Sequence, residues 1–316
     1  RTAKDREVGQ DVVERTQRLF NGHTAMWLKF LNIGADWEHE ARMRESCLQE
    51  TCSVPPMYLL DKDHKERKEG ALPATRPVVS GCAGMQLSLS NILSDIIESI
   101  CDARENPLEV ISTEDLLSRI HEHNREAETV DTDTETFLLG ADVIGLFPAL
   151  PAAASGRIVR EAVIKIVRQS NLKVEGLDYR ELAKYVRMNM SDFEIISRKL
   201  HRIIPIRKYK KGQMPSMTGK EATKKKDLEL KEEEEKIEEK FIHPEREATK
   251  EEEILLFATA LEIAVKFLFS NNLYQFGGRT YLQTDGGPIG LRATMCIARL
   301  IMGEWGEKIR EILRDS

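Results

Sequence analysis

Asp142 closes an apolar run, Phe137-Leu138-Leu139-Gly140-Ala141-Asp142-Val143. Such a run reads as a buried strand, which would set the carboxylate at a sheet edge facing a cleft. Left unpaired there, the charge would be costly. A magnesium ion or a cationic partner would remove that cost, and magnesium takes oxygen ligands and needs only one or two carboxylates beside substrate phosphates. The competing reading is an Asp that caps the following turn. Phe147 comes five positions later, and Phe is most often plain core. A second group is cationic: Lys62, His64 and Lys65, then Arg76-Pro77-Val78-Val79-Ser80-Gly81. Phosphate binding needs concentrated positive charge, and Arg adds a forked pair of donors. Against that, runs such as Lys62 to Lys65 are usually surface charge, so Arg76 is the more specific member. The third group is Gln283-Thr284-Asp285-Gly286-Gly287-Pro288-Ile289-Gly290. Glycines at this density allow backbone to approach a ligand closely, although a glycine-rich turn before a core helix has the same composition. A phosphate-binding loop is excluded, since no Gly-Lys-Ser/Thr follows.

Taken together and in this order, the three groups resemble the polymerase region of reverse transcriptases. The wording around Lys62 to Lys65 and Arg76 to Gly81 is most similar to Penelope-like elements, although this chain has Pro288-Ile289 where those elements show Ala-Met. The resemblance covers residues 55–150 and 254–308. It implies an RNA-directed DNA polymerase of a retroelement, which joins a deoxynucleoside triphosphate to a primer 3′-hydroxyl. Asp142 and the backbone carbonyl of Val143 would hold magnesium, with two ions expected in the complete enzyme. Lys62 or Lys65 (Lys62 favoured) and Arg76 would hold the triphosphate. Phe147 would pack under the sugar and exclude a 2′-hydroxyl. Gln283, Gly286 and Gly290 would contact the nucleotide or template. The implied partners are an RNA template, a DNA primer and a deoxynucleoside triphosphate.

Reverse transcriptases also carry an aromatic-x-Asp-Asp motif, which this sequence lacks. Two-metal transfer needs further carboxylates to hold ions about 3.5–4 Å apart. Arg1 in place of Met reads as a cut end, and the last helix stops about where a connection to that motif would begin. The expectation is a fragment that does not polymerise alone. The alternative is an inactive or domesticated nucleic-acid-binding remnant.

The elements that must carry these residues follow from periodicity. Apolar residues at helical spacing predict helices within 1–55, over 87–103, 113–127 and 155–169, from 254 to about 271, and over 291–313. Short strands flanking 63–74 predict one hairpin, and Gly277-Gly278 centres a second. This mixture is α+β. The resemblance makes it the fingers and palm of a right-hand polymerase, mostly helical around a small antiparallel sheet. The expected division is a helical extension over 1–54, a fingers-like region over 55–135, palm over 136–197, a charged insertion over 198–253, and further palm over 254–316.

Composition sets the remaining bounds. Hydrophobic residues make up 41%, enough for a real core, while 32% are charged. The net charge of -6 argues mildly against a nucleic-acid enzyme, but the charge is segregated. The insertion is basic from Arg198 to Lys226 and acidic from Glu232 to Glu253. It reads as partly disordered or as a solvated helix, and its basic half could follow a phosphate backbone. Five cysteines, an odd number in a large chain, imply reduced and mostly buried thiols of an intracellular protein. His121-Glu122-His123 is no metal site on a helix, because adjacent positions face apart. No apolar run reaches the roughly 20 residues of a membrane span.

Overall fold

The computed structural model describes residues 5–31, 48, 54–61, 75–81, 84–104, 110, 112–129, 143, 146–170, 177–203 and 249–314. A short strand β1 (Arg6–Glu7) leads into helix α1 (Gln10–Phe30). The hairpin strands β2 (Met57–Asp61) and β3 (Thr75–Val79) follow, then helices α2 (Leu87–Asp102) and α3 (Thr113–Thr129). A 3-10 turn (Phe147–Ala149) precedes α4 (Ala152–Ser170), α5 (Tyr179–Arg187) and α6 (Met190–Ile203). The last group is α7 (Lys250–Ser270), β4 (Leu273–Phe276), β5 (Arg279–Leu282) and α8 (Arg292–Arg314). The architecture is α+β, mostly helical with a small antiparallel sheet.

Helix α7 is the centre of the core. Phe257, Leu261, Ala264, Val265, Phe267 and Leu268 are buried on several sides of it, as expected of a helix enclosed by neighbours. Its start is fixed by a reciprocal cap. The Glu252 amide donates to the Thr249 hydroxyl at 3.3 Å, and the Thr249 amide donates to the Glu252 carboxylate at 2.9 Å. Helix α4 lies along it, burying Val159, Ala162, Val163, Ile166 and Val167 at helical spacing.

Helix α1 runs against α6. A β-carbon on Gly22 would collide with the Phe193 carbonyl, so glycine is what lets the two backbones approach. Around that crossing lies an aromatic cluster. His23 is sandwiched between Phe193 and Phe267 at centroid separations of 3.8 and 3.9 Å. Its Nδ1 lies 2.8 Å from the Tyr185 hydroxyl, to which Trp27 Nε1 also donates at 3.2 Å. Trp27, Tyr185, Phe20, Phe30 and Phe193 are fully buried. Large apolar side chains each contribute about 1.5–3 kcal/mol on burial, so this cluster is a major tie between α1, α5, α6 and α7.

The sheet has the order β1-β5-β4, all antiparallel. Phe276 pairs with Arg279 around a two-residue Gly277-Gly278 turn, with φ of 59° and 77°, the type of turn that matches strand twist. The β2–β3 hairpin is rooted beside this sheet. The Gln275 amide donates to the Pro55 carbonyl and the Ser80 amide to the Pro56 carbonyl, both at 2.9 Å.

Two local expectations change, at α5 and α6 and at Val143. Helices α5 and α6 occupy part of a stretch for which no element was expected. Asp178 caps α5 by accepting from the Arg180 and Glu181 amides at 3.0 and 3.2 Å. Both ends of the 198–253 segment are helical, since α6 runs to Ile203 and α7 begins at Lys250. The physical reason is that each end belongs to an amphipathic or capped helix that packs on the core. Val143, expected within a buried strand, is exposed and in no strand. Cys101 and Cys296 are buried and in no disulfide. Among the described residues no helix is long and apolar enough to cross a membrane.

Candidate functional site

The segment 283–290 is where distant parts of the chain meet. It leaves β5, turns through Gly286 (φ 79°) and Gly290 (φ 98°), and enters α8. Several bonds hold the turn. The Asp285 carboxylate accepts from the Gly286 amide at 2.9 Å. Thr294, in the first turn of α8, donates its hydroxyl to the Pro288 carbonyl at 2.7 Å. The Ser90 hydroxyl on α2 accepts from the Ala293 amide at 3.2 Å, which satisfies one of the free donors at the start of α8.

Phe147 reaches this turn from one side. Its carbonyl accepts from the Gly287 amide at 2.8 Å, and its side chain is half-buried against the core. Gly287 is closely packed as well. A β-carbon there would lie 2.9 Å from the Thr294 methyl and 3.1 Å from the Phe269 ring. From another side comes the end of β3. A β-carbon on Gly290 would strike the Val79 carbonyl oxygen, and one on Gly81 would lie 2.5 Å from the Gly290 carbonyl. The two glycines thus let the hairpin's return strand rest on the turn backbone.

Arg76 lies three residues before Val79 on β3, opposite Leu60 in the register, and is exposed. It makes no ion pair among the described residues. The same hairpin exposes Tyr58, Leu59 and Leu60, so its outer half stands clear of the core.

Gln283 is half-buried and fully engaged. Its Nε2 donates to the Asp285 carbonyl at 2.8 Å and the Gly287 carbonyl at 3.3 Å, while its Oε1 accepts from Asn272 Nδ2 at 2.6 Å. Asn272 and Gln86, both buried, support it from behind. Sequence reasoning did not single out either residue. A buried amide reads as an unremarkable polar residue until its partners are known.

Of the residues expected at a site, Phe147, Gln283, Gly286 and Gly290 are therefore neighbours through the turn, and Arg76 stands on the strand whose end touches it. Asp142, Lys62 and Lys65 lie outside the described residues. No group of three His, Cys, Asp or Glu side chains among the described residues is placed to hold a metal ion. The described part of the expected magnesium ligand set is Val143 alone.

A second polar cluster lies elsewhere. The Arg104 side chain, only 8% exposed, pairs with Glu304 at 3.0 Å, and its Nε donates to Glu307 at 3.0 Å. Lys165 also pairs with Glu307. This cluster borders a cavity of about 420 Å³ lined by Ala103, Arg104, Ile166, Gln169, Ser170 and Glu307, none of which belongs to the turn. Its two cations and two carboxylates compensate one another and tie the end of α2 to α4 and α8. Comparison of the chain with known protein families, characterised proteins and solved structures finds no match.

Proposed function

We propose that the chain is the fingers and palm portion of an RNA-directed DNA polymerase and binds a deoxynucleoside triphosphate opposite a template base. One relationship carries this reading. Phe147, the inner end of the Arg76 strand and the Gln283–Gly290 turn are far apart in sequence and meet around a single backbone turn. These are the segments whose residue types suit nucleotide binding. A general hydrophobic core would not require all three at one place.

In this reading the primer 3′-hydroxyl attacks the α-phosphate and pyrophosphate leaves. Phosphoryl transfer depends mostly on positioning and charge stabilisation, so each residue's task is to bind or orient. Arg76, with Lys62 or Lys65, holds the triphosphate. The half-buried Phe147 ring lies under the sugar and leaves no room for a 2′-hydroxyl. Gly286 and Gly290 permit close approach of backbone to the nucleotide and template, and Gln283 keeps that backbone in shape. Asp142 and the Val143 carbonyl would hold magnesium, which would supply positive charge at the phosphates.

The test uses the chain with an RNA template annealed to a DNA primer, in magnesium. The expected result is that the deoxynucleoside triphosphate complementary to the templating base tightens primer–template binding, and that mismatched nucleotides and the matching ribonucleotide do not. Primer–template binding that ignores the nucleotide would sink the polymerase reading in favour of a nucleic-acid-binding module.

A further inference from the structure

The turn that joins Phe147 to the glycine segment is held from behind by three side-chain amides in series. Gln86 precedes α2 and is fully buried. Its Nε2 donates to the Leu273 carbonyl at 2.9 Å and to Asn272 Oδ1 at 3.0 Å. Asn272, between α7 and β4, is 1% exposed. Its Nδ2 donates to Gln283 Oε1 at 2.6 Å, and its backbone carbonyl accepts from the Gln283 amide at 2.9 Å. Gln283 Nε2 then donates to the Asp285 and Gly287 carbonyls. The Gly287 amide completes the path to the Phe147 carbonyl at 2.8 Å.

The direction of this relay is set by its ends. Backbone carbonyls only accept. Gln86 must therefore turn its NH2 toward Leu273, which presents that same NH2 to Asn272. Asn272 must answer with its oxygen and send its own NH2 onward. Gln283 must accept on one side and donate to the two turn carbonyls on the other. Flipping Gln86 or Asn272 sets oxygen against oxygen or NH2 against NH2 at two contacts, and flipping Gln283 does so at three. Gln86 Oε1, also buried, has no hydrogen-bond partner among the described residues, whereas the other amide atoms of the relay are paired, and such buried bonds are costly to break.

We propose that Gln86 and Asn272 are positioning residues. Through Gln283 they lock the Asp285–Gly287 backbone and, with it, the height of Phe147 in the nucleotide pocket. The role in sugar selection rests on the polymerase reading above, whereas the locking of the turn does not. Gln86 and Asn272 touch neither nucleotide nor template in this arrangement. They act only by fixing which way the Gln283 amide faces.

Asn272→Asp is the sharpest probe, since it preserves shape and replaces the donor facing Gln283 with an acceptor. Gln283 must then flip or part from Asp, and either way the turn loses its ties. Gln86→Met removes the far end and leaves Asn272 and Gln283 in place, so it serves should Asn272→Asp fold poorly. Hydrogen exchange of peptides spanning 283–290 is compared with that of peptides spanning 257–268 in the α7 core. The expected result is exchange at 283–290 faster by about tenfold, the equivalent of one buried hydrogen bond, with the core unchanged. Unchanged exchange at 283–290 in the folded variants overturns the proposal. The second readout is the preference for deoxy- over ribonucleotide in primer–template complexes, with Phe147→Ala alongside. A preference that narrows in Asn272→Asp and in Phe147→Ala supports the positioning role. A preference that narrows only in Phe147→Ala overturns that role and leaves the polymerase reading standing. If the unaltered chain shows no preference, the polymerase reading and the sugar-selecting role fall together, and hydrogen exchange alone decides whether the relay locks the turn.

Discussion

The Gly290 backbone rests on the Val79 carbonyl oxygen, leaving no room for a β-carbon between the β2–β3 hairpin and the start of α8. Gly290 also has φ of 98°, a conformation that side-chain-bearing residues rarely adopt. Gly290→Ala must therefore both strain its own backbone and push the hairpin away. The expected cost is on the order of 2 kcal/mol, from backbone strain with the collision added. Urea denaturation measures it. Gly277→Ala is the informative control, because it has positive φ but open space around it. If the two substitutions cost the same, the contact with Val79 contributes nothing.

His23 should make stability depend on pH. Burial lowers its pKa from 6.5 to about 3, so the folded chain keeps it neutral where the unfolded chain protonates it. Below the unfolded value the unfolded state binds the extra proton. This contribution is therefore intact above about pH 6.5 and declines as pH falls toward 3, by about 1.4 kcal/mol per pH unit. Above pH 7 it is flat. The hydrogen bond with Tyr185 adds no proton of its own, since burial pushes the tyrosine pKa up, away from this range. His23→Gln should cost stability at pH 7 and flatten the slope between pH 6.5 and 4.5. Denaturant midpoints across that range measure both effects. An unchanged slope would show that His23 is not the group responsible.

Much of the scaffold was legible because it depends on local pattern. Leu89, Leu93, Ile97 and Ile100 repeat at helical spacing and are buried on α2. Gly277-Gly278 between two short apolar runs is a hairpin signal, and β4 and β5 pair around it. Helix α5 went unread because its nine residues are too few turns to establish a period, although Asp178 caps its start. Strand β1 has two residues and exists only because β5 offers an edge, so nothing local announces it. The site divides in the same way. Phe147, Gln283, Gly286 and Gly290 were singled out by the resemblance, and they lie together at one turn. Gln86 lies 186 residues from Asn272, and no local pattern connects two such positions. Only folding reveals that one amide faces the other.

The Arg104 cluster should be asymmetric in its energetics. Arg104 is nearly buried, whereas Lys165 is 39% exposed on its side chain. For Glu307, burial alone would raise the pKa, but hydrogen bonds from Lys165 and Arg104 outweigh it and hold the carboxylate lower than usual. Removing that carboxylate leaves Arg104 under-compensated in a poorly solvated place. Glu307→Leu is expected to destabilise by about 3 kcal/mol. Lys165→Met should cost under about 1 kcal/mol, because an exposed ion pair contributes little. Thermal or urea unfolding of the two variants distinguishes them, and equal costs would mean that the burial of Arg104 is not what matters. The Glu307 contribution should also fade as pH falls into the carboxylate range, since protonation ends its charge on Arg104.

Arg76 offers the cleanest separation of binding from stability. It is exposed on β3 and makes no ion pair among the described residues, so Arg76→Ala should leave the unfolding midpoint nearly unchanged. If its guanidinium holds the triphosphate, the complementary deoxynucleoside triphosphate should bind about tenfold more weakly or worse, as expected for losing charge-assisted hydrogen bonds. The matching monophosphate, which lacks the outer phosphates, should be little affected. Arg76→Lys should recover only part of the loss, because an ammonium supplies charge without the forked donor pair. Titration of both nucleotides against the chain with its primer–template measures all three. An equal loss for monophosphate and triphosphate would place Arg76 on the nucleic acid rather than on the nucleotide. Full rescue by Lys would mean that charge alone, not the geometry of the fork, is what the hairpin contributes.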